Sequence, residues 1–144
     1  MLDPIAAYGA VVWNPPNDLR TMTLRDHAEL PDGRYLFVDA YCTDLDCDCR
    51  VAYLFIIRES TDESLAAITF GWQSLDFYRR WARLEKADDV IRDLKGPALM
   101  PMAPQSQYAP LLLELVTEHL KDPDYVRTLK KHYWEFRRVL AAKT

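Results

Sequence analysis

Hydrophobic and polar positions follow two different periods along this chain, and the change falls near residue 74. Before it, runs of β-forming residues alternate with short polar turns. Tyr35-Leu36-Phe37-Val38-Asp39-Ala40-Tyr41 reads as a strand. Val51-Ala52-Tyr53-Leu54-Phe55-Ile56-Ile57 is a continuous apolar run, which predicts a central strand covered on both faces. Leu65-Ala66-Ala67-Ile68-Thr69-Phe70 makes a third strand after the polar turn at 59–64. Both connections are short, so an antiparallel meander is the simplest topology. Upstream, Pro31-Asp32-Gly33 is a turn, Thr21-Met22-Thr23-Leu24 has the composition of a short strand, and Asn14-Pro15-Pro16-Asn17-Asp18 is biased away from helix by its prolines.

After Ser74 the spacing becomes helical. Ser74 has the chemistry of an N-cap, and Asp76 falls in the first turn, where the helix dipole favours an acid. Phe77, Trp81 and Leu84 follow at helical intervals, and a second short helix is expected over Ala87 to Leu94, stopped by Gly96-Pro97. Pro101 and Pro104 keep the next stretch irregular. Leu111, Leu112, Leu115, Val116, His119 and Leu120 form the apolar stripe of another helix. Asp122-Pro123 restarts the chain with an N-cap and a proline at the first helical position. Tyr125, Leu129, Tyr133, Phe136 and Leu140 then mark one face of a long terminal helix. Strands first and helices afterwards predict an α+β fold, with an antiparallel β-meander of about three to four strands and a C-terminal helical layer packed on one face. The expected organisation is a single domain over 1–144, with an irregular segment at 1–34, the meander at 35–72 and helices at 74–143.

Composition narrows the function classes. Hydrophobic residues make up 49% of the chain and charged residues 28%, a globular balance. The formal net charge of −4 argues against nucleic acid as a partner, because phosphate neutralisation dominates duplex affinity. The charge is uneven: residues 1–120 sum to −8 and residues 121–144 to +4. The basic terminal helix reads as a solvated face, or as a docking surface for an acidic protein partner. Trp13, Trp72, Trp81 and Trp134 read as core or cover, since no basic sheet face accompanies them. No apolar run approaches the ~20 residues that span a bilayer, and Met1-Leu2-Asp3-Pro4-Ile5 lacks the pattern of a secretory signal. A cytoplasmic protein with reduced thiols is therefore expected, without membrane association.

The chemical signature is concentrated at Tyr41-Cys42-Thr43-Asp44-Leu45-Asp46-Cys47-Asp48-Cys49-Arg50, which holds all three cysteines of the chain. They sit at the tip expected between two strands, in a polar loop that suits core packing poorly. Zinc takes thiolate and imidazole ligands, commonly four. Cys47 and Cys49 point the same way if locally extended, and Cys42 folds back from the preceding strand. A fourth ligand must come from elsewhere. His132 faces the core side of the terminal helix and is the preferred candidate; His119, His27, an acid or water are the alternatives.

Competing chemistries fit less well. A disulfide framework is poorly served by an odd cysteine count, and a Cys47–Cys49 redox pair would be strained, with neighbouring acids raising the thiol pKa. Asp44, Asp46 and Asp48 match the opening acids of an EF-hand loop, but Cys49 stands where its glycine belongs and Phe55 where its closing glutamate belongs. These acids instead solvate the loop, with Arg50 as a partner. No G-x-S-x-G, glycine-rich phosphate loop or H-E-x-x-H occurs.

With Tyr41-Cys42-Thr43-Asp44 and Cys47-Asp48-Cys49-Arg50-Val51 on the page, the loop resembles a signature of small bacterial proteins without an established activity: an aromatic residue and cysteine, an acidic spacer, then Cys-Asp-Cys-Arg and a hydrophobic strand. Pro104-Gln105-Ser106, Asp122-Pro123-Asp124-Tyr125-Val126 and Lys131-His132-Tyr133 extend the likeness over most of residues 35–138. The resemblance implies a shared fold unit and a bacterial source. The Cys-x-Cys is also similar to the SEC-C zinc motif, whose second Cys/His pair this chain lacks, so that motif's ligands are not carried over. The expected function is a metal-binding, zinc-type, non-enzymatic interaction or adaptor domain with an unidentified protein partner. The alternative is a metal- or thiol-dependent enzyme that keeps an open coordination position.

Overall fold

Strand β3 (Gly33–Cys42) is the hub of the sheet. Along one edge it pairs antiparallel with β4 (Val51–Arg58); along the other it takes both β1 (Ile5–Ala7), opposite its last residues, and β2 (Arg20–Leu24), opposite its first. This is a computed structural model, and it describes residues 4–12, 19–82 and 88–143. The turn expected at 14–18, with Trp13, Leu84 and Ala87, lies outside the described residues. β4 continues to β5 (Glu63–Gly71), which carries the two-residue β6 (Ala98–Leu99) at its far side. Every pairing is antiparallel.

The α+β class and the meander at its centre stand as expected, but the strand count does not. The sheet has six strands among the described residues, not three to four, and residues 1–34 are not irregular throughout. β1, β2 and β6 are three, five and two residues long. Such short segments are recruited by a long neighbour's free backbone groups, so their own side chains carry little periodic signal. A four-residue helix α1 (Tyr8–Val11) follows β1 directly.

The helices are α2 (Leu75–Ala82), α3 (Asp88–Lys95), α4 (Ala109–His119) and α5 (Pro123–Lys143). Ser74 caps α2 as expected, its Oγ accepting from the Phe77 amide at 3.1 Å. Asp122 does the same for α5 through the Asp124 amide at 3.0 Å. The buried stripe of α5 is Tyr125, Leu129, Tyr133, Phe136 and Leu140, the face read from the sequence. Fully burying a side chain of this size stabilises by about 1.5–3 kcal/mol, so these residues fasten α5 across the sheet. In α2 the buried residue is Tyr78 rather than Phe77 or Trp81.

The helical layer is not confined to one face. Alternate residues of a strand point to opposite faces. Ala52, Leu54 and Ile56 join the main core with α4 and α5, whereas Val51 and Tyr53 join a second cluster with Tyr78 of α2 and Ile91 of α3. β4 is thus covered on both sides at its start, as its continuous apolar run predicts. The second cluster includes Cys42, Cys47 and Cys49, which lie on the α2–α3 face.

Candidate metal centre

The loop that joins β3 to β4 is folded by its own acids and by two helices. Asp44 Oδ1 accepts the Asp46 amide at 3.0 Å, and the Asp44 carbonyl accepts the Cys47 amide at 3.0 Å. This is the local turn that aspartate side chains favour, and it returns the chain toward Cys42. Thr43 donates its amide to the Pro4 carbonyl at 3.0 Å, which ties the loop to the start of the described chain. Arg50 adopts φ 51, a left-handed conformation that costs a non-glycine residue about 1–2 kcal/mol. Both peptide groups around it are held. Tyr78 donates its hydroxyl to the Arg50 carbonyl at 2.7 Å, and the Arg50 amide donates to the Tyr133 hydroxyl at 3.3 Å. Tyr78 reaches that carbonyl across Gly71, where any Cβ would collide with its hydroxyl.

Helix α5 grips the other side. Tyr133 donates to Asp48 Oδ1 at 2.9 Å. One turn later, Arg137 donates to the Cys47 carbonyl through Nη1 and to the Leu45 carbonyl through Nη2, the latter at 2.8 Å. Asp48 also pairs with Arg50 at 3.0 Å, as expected, and the Arg50 guanidinium sits over Phe77 at 5.1 Å and Trp134 at 5.4 Å. These hydrogen bonds set the loop without the sulfur atoms, and Cys42 Sγ adds one long contact, 4.0 Å, to the Asp44 carbonyl.

This frame brings the three sulfurs of Cys42, Cys47 and Cys49 within 4.8 Å of one another, close enough to hold a metal ion. All three are free thiols; Cys49 is 3% exposed, and Cys42 and Cys47 are half-buried. Burial, followed by the neighbouring Cys47, pushes the Cys49 thiol up to about 12. Burial and Cys42 raise Cys47. The loop acids are not the main cause expected from the sequence. Asp44 and Asp46 face solvent, and Arg50 holds the Asp48 carboxyl below its ordinary range. Three soft sulfur donors in one half-buried cluster could hold a thiophilic metal ion.

Comparison with protein-family models, with curated proteins and with solved structures finds no match to this chain.

The candidate fourth ligands are placed elsewhere. His132 engages Asp39 through Nδ1 at 2.7 Å and stacks on Tyr8 at 3.7 Å between ring centroids. His119 accepts from Arg20 Nε at 3.0 Å, and His27 Nδ1 accepts the amides of Glu29 and Leu30, each at 3.1 Å. Among the described residues no histidine, aspartate or glutamate joins the three sulfurs. The terminal helix does reach the loop, but through Tyr133 and Arg137. Tyr133 reads as core in the sequence because its ring is apolar. Its hydroxyl, and an arginine one turn later on the same side, were the available signal.

Proposed function

We propose that this protein is a zinc-type metal-binding domain in which Cys42, Cys47 and Cys49 hold the ion, serving as a non-enzymatic interaction or adaptor module. The convergence of the three sulfurs within 4.8 Å carries the reading. A bound ion would supply positive charge that favours thiolates and would join β3 to β4 at the hairpin tip. The protein's share is to pre-form the loop through Tyr78, Tyr133 and Arg137, so that ligand ordering is largely complete beforehand. Half-exposed Trp134 beside Arg50 is the kind of surface that anchors a protein partner. Kinship with the small bacterial proteins of the same cysteine signature, and a reducing cytoplasmic setting for the free thiols, belong to this proposal.

One observation favours the enzyme alternative. Val51 and Tyr53, which pack in the same cluster as the thiols, also line an apolar cavity of about 510 Å³ bounded by Ile91 and Leu94. With three sulfur donors together, a fourth position would be left for an outside ligand.

Cobalt(II) titration tests the ligand set. Wild-type protein should develop a thiolate-to-cobalt charge-transfer absorbance that saturates near roughly one equivalent, and the Cys47→Ser variant should develop a weaker one. No saturable absorbance in the wild type would contradict the site.

A further inference from the structure

A second cavity, of about 250 Å³, lies on the opposite face of the sheet from the sulfurs, where β2 and β3 meet α5. It is smaller than the roughly 300–1,000 Å³ of sites for drug-sized ligands, so it suits a small molecule. Nothing in it depends on the metal centre.

The sheet register brings opposite charges to its floor. Arg20 of β2 stands across the ladder from Phe37 of β3, and Asp39 follows Phe37 by two residues. Alternation along the strands puts these three side chains on one face, and all three line the cavity. Diagonal neighbours such as Arg20 and Asp39 lie about 7–8 Å apart, with the Phe37 ring beside both.

Each of the two keeps one free arm. Arg20 commits Nη1 to Asp122 at 2.9 Å and Nε to His119 at 3.0 Å, which leaves Nη2 without a partner among the described residues. Its guanidinium is held over the Tyr125 ring, 4.8 Å from the centroid. Asp39 is buried, its side chain 7% exposed. Its Oδ2 takes both the Tyr41 hydroxyl at 2.7 Å and His132 Nδ1 at 2.7 Å. Its Oδ1 has no partner among the described residues and is not fully enclosed. A buried carboxylate is costly unless donors match it, so an open oxygen on one is a strong acceptor. Asp124, exposed at the rim, gives Oδ1 to Arg127 and keeps Oδ2 free.

The free groups are thus of both signs: one guanidinium arm and two carboxylate oxygens, above apolar walls from Phe37 and Leu129. A lone anion would face the two acids, and a lone cation would face Arg20. A zwitterion with a short apolar body meets every free group with its opposite charge.

We propose that this cavity binds a small α-amino acid with an apolar side chain. Its ammonium donates to Asp39 Oδ1, with Asp124 Oδ2 as a second acceptor at the rim. Its carboxylate accepts from Arg20 Nη2, and its side chain rests on Phe37 and Leu129. The test is an amide NMR titration of the full chain with L-leucine, on wild type and Arg20→Gln. Isocaproate, the same skeleton without the ammonium, and isopentylamine, without the carboxylate, are the comparators. Leucine should give saturable shifts at Arg20, Asp39, Leu129 and His132 in the wild type. Each comparator should bind at least about tenfold more weakly, the loss of one charge-assisted hydrogen bond. Arg20→Gln should lower leucine affinity to the level of isopentylamine and leave isopentylamine binding unchanged. Absence of saturable shifts with leucine would overturn the proposal. So would a comparator that binds as tightly as leucine, or unchanged leucine affinity in Arg20→Gln.

Discussion

The Tyr133 hydroxyl donates to Asp48 Oδ1 over 2.9 Å, and its phenolic oxygen accepts from the Arg50 amide at 3.3 Å. A residue of the terminal helix thereby holds the Asp48 carboxylate and the Arg50 amide, on either side of Cys49. Removing only that oxygen, with Tyr133→Phe, should keep the fold but loosen the loop. Stability should fall by about 1 kcal/mol, the usual net worth of such a bond. Metal affinity should fall about 10–100-fold, as it does when partners that orient ligands are lost. Chemical denaturation and competition against a chelator measure the two effects.

The Asp39–His132 contact leads to a prediction of the opposite kind. His132 is engaged by a buried carboxylate and a stacked tyrosine, and it does not join the sulfurs. His132→Gln should therefore leave metal content unchanged. It should still destabilise the protein by about 1–3 kcal/mol, because Asp39 would keep only Tyr41 as a strong partner in a dry site. Loss of bound metal in this variant would instead make His132 the fourth ligand.

Acid should weaken the fold through His119. Burial first, and the Arg20 guanidinium second, lower its pKa from 6.5, while Asp122 pulls weakly the other way. Its Nδ1 accepts from Arg20 Nε, which requires that nitrogen to be unprotonated. The unfolded chain then takes up the proton at higher pH than the folded one, so stability rises with pH across the interval between the two values. The contribution is present in full above about pH 6.5, the ordinary histidine value, and is lost as pH falls toward the lower folded value. Thermal unfolding from pH 8 down to pH 5 should show this decline, and His119→Gln should flatten it.

What the sequence made legible follows from how local each signal is. The terminal helix shows its buried face directly, because Tyr125, Leu129, Tyr133, Phe136 and Leu140 repeat at the helical period. The thiol cluster is legible because three cysteines within eight residues can meet only through a tight turn. Of the short strands, β2 shows in the composition of Thr21 to Leu24, whereas β1 and β6 do not show, since β3 and β5 stabilise them from afar. His132 and Tyr133 show the limit most clearly. They are adjacent on one helix, and one residue of rotation, about 100°, decides which of them meets Asp39 and which meets the loop. Spacing alone assigns both to the inner side of α5; only the packing of Tyr8 and Trp72 against them separates the two.

Metal content of the native protein tests the central claim most directly. Elemental analysis of protein purified without added metal should find a thiophilic ion near roughly one per chain in the wild type, and a marked loss in Cys49→Ser together with lowered stability. Wild-type protein without stoichiometric metal, and a Cys49→Ser variant of equal stability, would contradict the account.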